Sequence, residues 1–131
     1  MTQRDLHSEA IAFFDEFAAA FRQFNGALIA SRYVAPYLAM NADGSARVFG
    51  EHEEIGRYFQ SVVDAYHQEG CRACRYTALH VVPLGQRCSL ATLTWELLRE
   101  DGSVLSAWRE SYNLLRMDDC LRIFTSVDHA A

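Results

Sequence analysis

From Gln86 to His129 the chain holds three long strand-like runs with almost nothing between them: Arg87 to Arg99, Ser103 to Met117 and Cys120 to His129. Only Asp101-Gly102 and Asp118-Asp119 interrupt them, and both pairs suit tight hairpin turns. Three long antiparallel strands make a sheet that must bury one face, so a second layer has to cover it. The residues before Gln86 must therefore supply a cover.

A two-residue turn fixes the register on either side of it. With Asp101-Gly102 as a loop, Trp95 lies opposite Trp108, Leu93 opposite Glu110 and Ala91 opposite Tyr112. With Asp118-Asp119 as the next loop, Leu114 pairs with Ile123, Tyr112 with Thr125, Glu110 with Val127 and Trp108 with His129. One face then collects Leu93, Trp95, Leu97, Trp108, Glu110, Tyr112, Leu114, Ile123, Val127 and His129. The other collects Thr92, Thr94, Arg109, Ser111, Asn113, Phe124, Ser126 and Asp128, with Arg109 and Asp128 placed for a cross-strand ion pair. The aromatic face is the expected core face, and a slip of one residue would reverse part of it.

The cover is legible upstream. Leu6, Ala10, Phe13, Phe14, Phe17, Phe21 and Phe24 recur at helical spacing and predict a strongly amphipathic first helix. Thr2 with Asp5 suggests its cap, and Asn25-Gly26 its stop. A short second helix is expected over Ala27 to Tyr33, before Pro36. Tyr37 to Met40 and Ala46 to Phe49 flank a turn at Asn41-Ala42-Asp43-Gly44. The acidic run Glu51-His52-Glu53-Glu54 suits the start of a third helix, which Gly70 ends. Arg72 to Leu84 is the first of four long strands. At 131 residues these elements make one domain.

The chain carries a formal net charge of −5 and no Lys/Arg run, which argues against nucleic-acid binding. No 18-residue apolar stretch predicts a membrane span, and the first residues do not resemble a signal peptide. A cytoplasmic protein is expected. Cys71 and Cys74 form a CxxC, but no second pair or His spacing completes a metal site. Cys71, Cys74, Cys88 and Cys120 are therefore expected to be reduced thiols. No phosphate loop, dinucleotide fingerprint or nucleophile elbow is present, so no cofactor or metal is expected.

The order helix, short helix, hairpin, helix, four long strands resembles the nuclear transport factor 2-like superfamily, and within it the SnoaL-like group. The resemblance spans nearly the whole chain. It is carried by Ser31-Arg32-Tyr33-Val34-Ala35-Pro36, by Phe49-Gly50-Glu51 with Ile55 and Tyr58-Phe59, and by Asp101-Gly102 with Tyr112, Leu115-Arg116 and Leu121-Arg122-Ile123. It implies an α+β fold: a cone-shaped, curved, mixed or antiparallel sheet with three helices on its concave face and a pocket between the layers. It also implies a homodimer through the convex face, where Leu90, Thr92, Thr94, Ala107, Ser111, Asn113 and Phe124 are small or apolar.

Enzymes of that superfamily include ketosteroid isomerase, scytalone dehydratase and polyketide cyclases. Set against the isomerase, Asn41 falls at its base, Phe17 at its tyrosine, and Tyr112 or Asn113 at its second acid. An amide cannot take a proton from carbon and phenylalanine donates no hydrogen bond, so the isomerase chemistry is not expected. Asn41 and Tyr112 could still hold a polar ligand group, although Asn41 also suits its turn.

Glu110, mid-strand among aromatics, is the strongest candidate for a proton-transfer group, with His129 as partner on the same face. Pairing of Glu110 with an arginine, and a solvated His129, are the plainer readings. Trp95 and Trp108 would form pocket walls. His80, alternating with Tyr76, is a further pocket candidate or a satisfied core histidine. Two functions stand open: a pocket for a small apolar molecule with a polar end, working by cofactor-independent general acid/base catalysis if an enzyme, or a non-catalytic association module whose cavity its own side chains fill.

Overall fold

The structure is a computed structural model that describes residues 3–130, with side chains from Asp5 onward. The expected cap at Thr2 lies outside the described residues. Helix α1 runs Gln3–Phe21, α2 Gly26–Ala30 and α3 His52–Gln68. Strands β1 Tyr33–Met40, β2 Ala46–Phe49, β3 Ala73–Leu84, β4 Cys88–Leu98, β5 Val104–Met117 and β6 Cys120–Asp128 form one curved, unclosed six-stranded sheet in the order β2-β1-β6-β5-β4-β3. β1 and β6 run parallel and every other pair antiparallel, so the sheet is mixed.

The stripe of α1 is buried from Leu6 to Phe21, as its spacing predicts. Phe14 and Phe17 press on Trp95 at ring-centroid distances of 6.3 and 5.3 Å. The tryptophan-bearing face therefore looks toward the helices. α1 ends earlier than expected, because Phe24 turns left-handed (φ 51°). Asn25 is not a stop but the N-cap of α2, its side chain accepting from the Leu28 N–H. α2 is shorter than predicted, and its successor is already strand at Tyr33. Glu51 and Glu54 open α3 as the acidic run suggests, the Glu54 carboxylate accepting from the Glu51 N–H at 3.2 Å.

Besides an irregular pairing of β1 with β6, three β-bulges among β3 to β6 decide which side chains face inward. At the β4–β5 turn the Arg99 N–H bonds Ser103 O, and Gly102 is left-handed (φ 86°), so the loop is Glu100-Asp101-Gly102 rather than two residues. An extra residue, Leu105, cancels the shift, and Trp95 pairs with Trp108, Leu93 with Glu110 and Ala91 with Tyr112, as predicted. At β5–β6 the two-residue turn holds, with Met117 opposite Cys120 and Leu114 opposite Ile123. Beyond it Phe124 is extra, Asn113 meets Thr125, and Glu110 meets Asp128. Ser126 and Asp128 thus move to the inner face, and Val127 and His129 to the outer one.

The third bulge, in β3, separates Thr77 opposite Thr94 from His80 opposite Thr92, and its Ala78 is left-handed (φ 54°). The Arg109 guanidinium donates to Ala78 O at 3.3 Å and to Thr94 Oγ1 at 3.1 Å. Arg109 therefore braces this bulge instead of pairing with Asp128. Since an alanine held left-handed costs about 1 kcal/mol relative to glycine, Ala78→Gly is expected to raise stability by about 0.5–1 kcal/mol. Urea unfolding checks this, and a loss of stability would contradict the bulge.

Candidate functional site

Between the helices and the inner sheet face lies a cavity of about 190 Å³. Phe17 and Phe21 of α1 and Phe59 and Val63 of α3 roof it; Tyr33 and Tyr37 of β1 form one wall, and Trp95 and Leu97 of β4 the other. Half-buried Tyr58, Tyr66, Trp108 and Asp128, with exposed Asn41, mark its mouth. A residual space that size equals about six waters at ~30 Å³ each, so the aromatic side chains do not fill it.

Glu110 is buried (8% exposed) in the floor of this cavity. Its Oε1 accepts from the Trp108 indole N–H at 2.8 Å. The Trp95 indole N–H donates to the Tyr112 hydroxyl at 2.7 Å, and that hydroxyl lies beside Glu110. The third partner of Glu110 is Asp128. No described Lys, Arg or His lines the cavity, and neither carboxyl enters an ion pair.

Two carboxyls taken from water side by side cannot both ionise at ordinary pH. Burial, and then the charge of Asp128, push the Glu110 carboxyl up to about 8. Asp128, half-buried, is raised as well, chiefly by desolvation, while its hydrogen bond from Glu110 favours its charged form. Glu110 is therefore the carboxyl of the two that burial holds in its neutral form, beside Asp128. Burial likewise raises Tyr33, Tyr37, Tyr66 and Tyr112, which stay neutral hydroxyls.

The other expected site residues fall out as follows. Trp95, Trp108, Tyr112 and Phe17 line the cavity. Asn41 sits at its edge but is spent on the turn, donating to Ser45 Oγ at 3.0 Å. His129 is no partner of Glu110: the Phe124 bulge turns it outward, where its Nε2 meets Ser111 Oγ at 2.8 Å. His80 is likewise exposed on the outer face, flipped by the Ala78 bulge. The residues missed include Asp128, Ser126, whose Oγ lies 2.5 Å from the Tyr37 hydroxyl, and the cavity-lining Tyr33, Tyr37, Tyr58 and Tyr66. No glycine marks either bulge, so the sequence carried no local signal for them.

All four cysteines are free thiols. Cys74 faces the cavity, but burial pushes its thiol up to about 12, so it is no nucleophile. Among the described residues no group of three or more His, Cys, Asp or Glu could hold a metal, and no helix is long and apolar enough to cross a membrane.

The same architecture recurs in solved structures. A cystatin-like-fold domain of unknown function from Nostoc punctiforme superposes with a TM-score of 0.77 at 16% identity, covering 100% of this chain and 80% of that one. Aln2 from a Streptomyces species gives 0.79 at 16% identity, covering 99% and 94%. A ketosteroid isomerase-like protein from Erwinia carotovora atroseptica gives 0.68 at 16% identity, covering 93% of each. At such identities these likenesses show the fold alone. Among curated proteins none matches the sequence. The profile of the family described as NTF2-like protein (DUF6841) matches residues 8–131, so the chain belongs to this NTF2-like family.

Proposed function

We propose that this protein binds one small, mostly apolar molecule with a polar end in the cavity, and that the Glu110–Asp128 pair is its proton-exchanging group. The observation that carries this reading is buried Glu110 opposite half-buried Asp128 in an aromatic hollow whose described lining holds no basic side chain. Such a pair supplies a base and an acid at once. The Asp128 carboxylate takes a proton from carbon, Glu110 gives its proton to an oxygen of the same molecule, and the hydrogen bond between them returns the proton. That serves an isomerisation, a dehydration or a cyclisation, each without a cofactor.

Proton transfer can be tested before the natural substrate is known. Cyclohexanone in D₂O should exchange its α-hydrogens faster with the wild-type protein, followed by proton NMR. Glu110→Gln with Asp128→Asn should remove on the order of 10²-fold of that acceleration. Equal rates in both proteins would remove the pair from any such mechanism.

The reading of a self-filled association module draws no support from a cavity that stays open. Four free thiols support a reducing compartment, hence a cytoplasmic protein. We also infer a homodimer through the outer sheet face, where Thr92, Ser111 and Asn113 present neutral polar groups. Light scattering should give twice the 14.9 kDa chain mass; a monomer at micromolar concentration would refute it.

A further inference from the structure

The geometry points to a cationic nitrogen as the polar end of the ligand, and we propose that the cavity takes a small alkylated ammonium or protonated amine. This rests on the cavity reading above. Three observations converge on it. The first is charge: two carboxyls, Glu110 and Asp128, line the cavity, neither enters an ion pair, and no described basic side chain lines it to offset them. An anionic ligand would be repelled, whereas one ammonium would balance the site.

The second is the donor inventory. An anion needs several hydrogen-bond donors, yet both indoles here are spent on protein acceptors. The Trp95 indole is committed to Tyr112, the Trp108 indole to Glu110, and the Tyr37 hydroxyl meets Ser126. The hydroxyls of Tyr58, Tyr66 and Tyr112 remain. What the hollow presents is mainly acceptor charge and ring surface.

The third is the rings. Trp108, Tyr58 and Tyr66 stand at the mouth beside the carboxyls, and both tyrosines feel the charge of Glu110 and Asp128. Aromatic faces around a carboxylate form the kind of cage that holds alkylammonium groups, because the ring quadrupole attracts a cation that water solvates poorly. The volume of about 190 Å³ suits a group of a few heavy atoms; a dry cavity of ~150 Å³ already takes benzene.

The charged and titratable groups around the pair are Tyr58 and Tyr66 from α3, Tyr33 and Tyr37 from β1, Tyr112 from β5, Cys74 from β3 and His129 after β6. Arg47 from β2 stacks over Tyr58 at 5.0 Å, exposed to solvent. The hydroxyls and the Cys74 thiol remain neutral below pH 9, so the negative charge that a cation would meet is that of the pair.

The test uses choline and its neutral, equally shaped analogue 3,3-dimethyl-1-butanol, titrated into the whole protein at pH 7. Both tryptophans of the chain line the cavity, so indole emission reports occupancy directly. Choline is expected to bind on the order of tenfold tighter than the alcohol. Acidification should weaken it as Asp128 takes up a proton, and Glu110→Gln with Asp128→Asn should abolish the preference for choline over the alcohol. Circular dichroism establishes that the variant is folded. If the alcohol binds as tightly as choline, or the preference survives in the variant, the cation assignment falls and the cavity reading stands. If neither probe binds at millimolar concentration, both fall together.

Discussion

Glu110→Gln is expected to make the protein more stable in alkaline buffer, by on the order of 3 kcal/mol at pH 9. The Glu110 carboxyl is raised from an ordinary 4.5 to about 8 in the folded protein, burial being the main cause and Asp128 the second. The folded state thus holds a proton that the unfolded chain gives up. Its stabilising contribution is complete below pH 4.5 and is lost as the pH climbs through about 8. A glutamine keeps the Trp108 hydrogen bond and never has to ionise. Urea unfolding of both proteins at pH 5 and pH 9 measures the difference. Wild-type stability should fall between those values and the variant's should change far less; parallel behaviour would mean that Glu110 ionises freely.

Gly26→Ala should cost about 2–4 kcal/mol, the scale of a serious overpacking defect. A β-carbon at Gly26 would sit 2.4 Å from Gln60 N, 2.5 Å from Gly56 O and 2.7 Å from Gln60 Cα, all backbone of α3. No rotamer change relieves a clash with backbone. The approach is fixed by the Gln60 side chain, which accepts from the Gly26 N–H at 2.8 Å and donates to Phe24 O at 3.1 Å. Gly56 provides the control, because its β-carbon would meet only Ala27 Cα and Ala30 Cβ, both at 3.8 Å. Gly56→Ala should therefore be neutral or stabilising by up to ~1 kcal/mol, the ordinary gain of alanine over glycine inside a helix. Equal effects at the two positions, read from thermal or urea unfolding, would contradict the packing of α2 on α3. Since Phe59 and Val63 of α3 roof the cavity, the same substitution should also weaken any ligand that the cavity takes.

How far the sequence could be read divides at the bulges. The period of the phenylalanines announces α1, and the Trp95–Trp108 pairing follows by counting across one turn. That count succeeds because two irregularities cancel: a three-residue loop and the extra Leu105. At Phe124 and Ala78 nothing cancels. Each inserts one residue into one strand, and since side chains alternate with period two, every later residue changes face. Glu110 is thereby legible as a buried acid while its partner is not: the register predicts His129, and the fold supplies Asp128. From Thr125 to His129 the one apolar residue is Val127, with Ser126 and Asp128 on the opposite face, so patterning favoured the phase that the fold does not adopt. Bulges without glycine are set by packing against neighbouring strands, which the linear sequence does not display.

The tryptophan-bearing face encloses a hollow in which buried Glu110 faces Asp128. The most direct measurement is a side-chain ¹³C NMR titration of the Glu110 carboxyl in the wild-type protein and in Asp128→Asn. The account predicts a midpoint far above the ordinary 4.5, near about 8, that drops when Asp128 loses its charge. A Glu110 midpoint close to 4.5 in both proteins would contradict it.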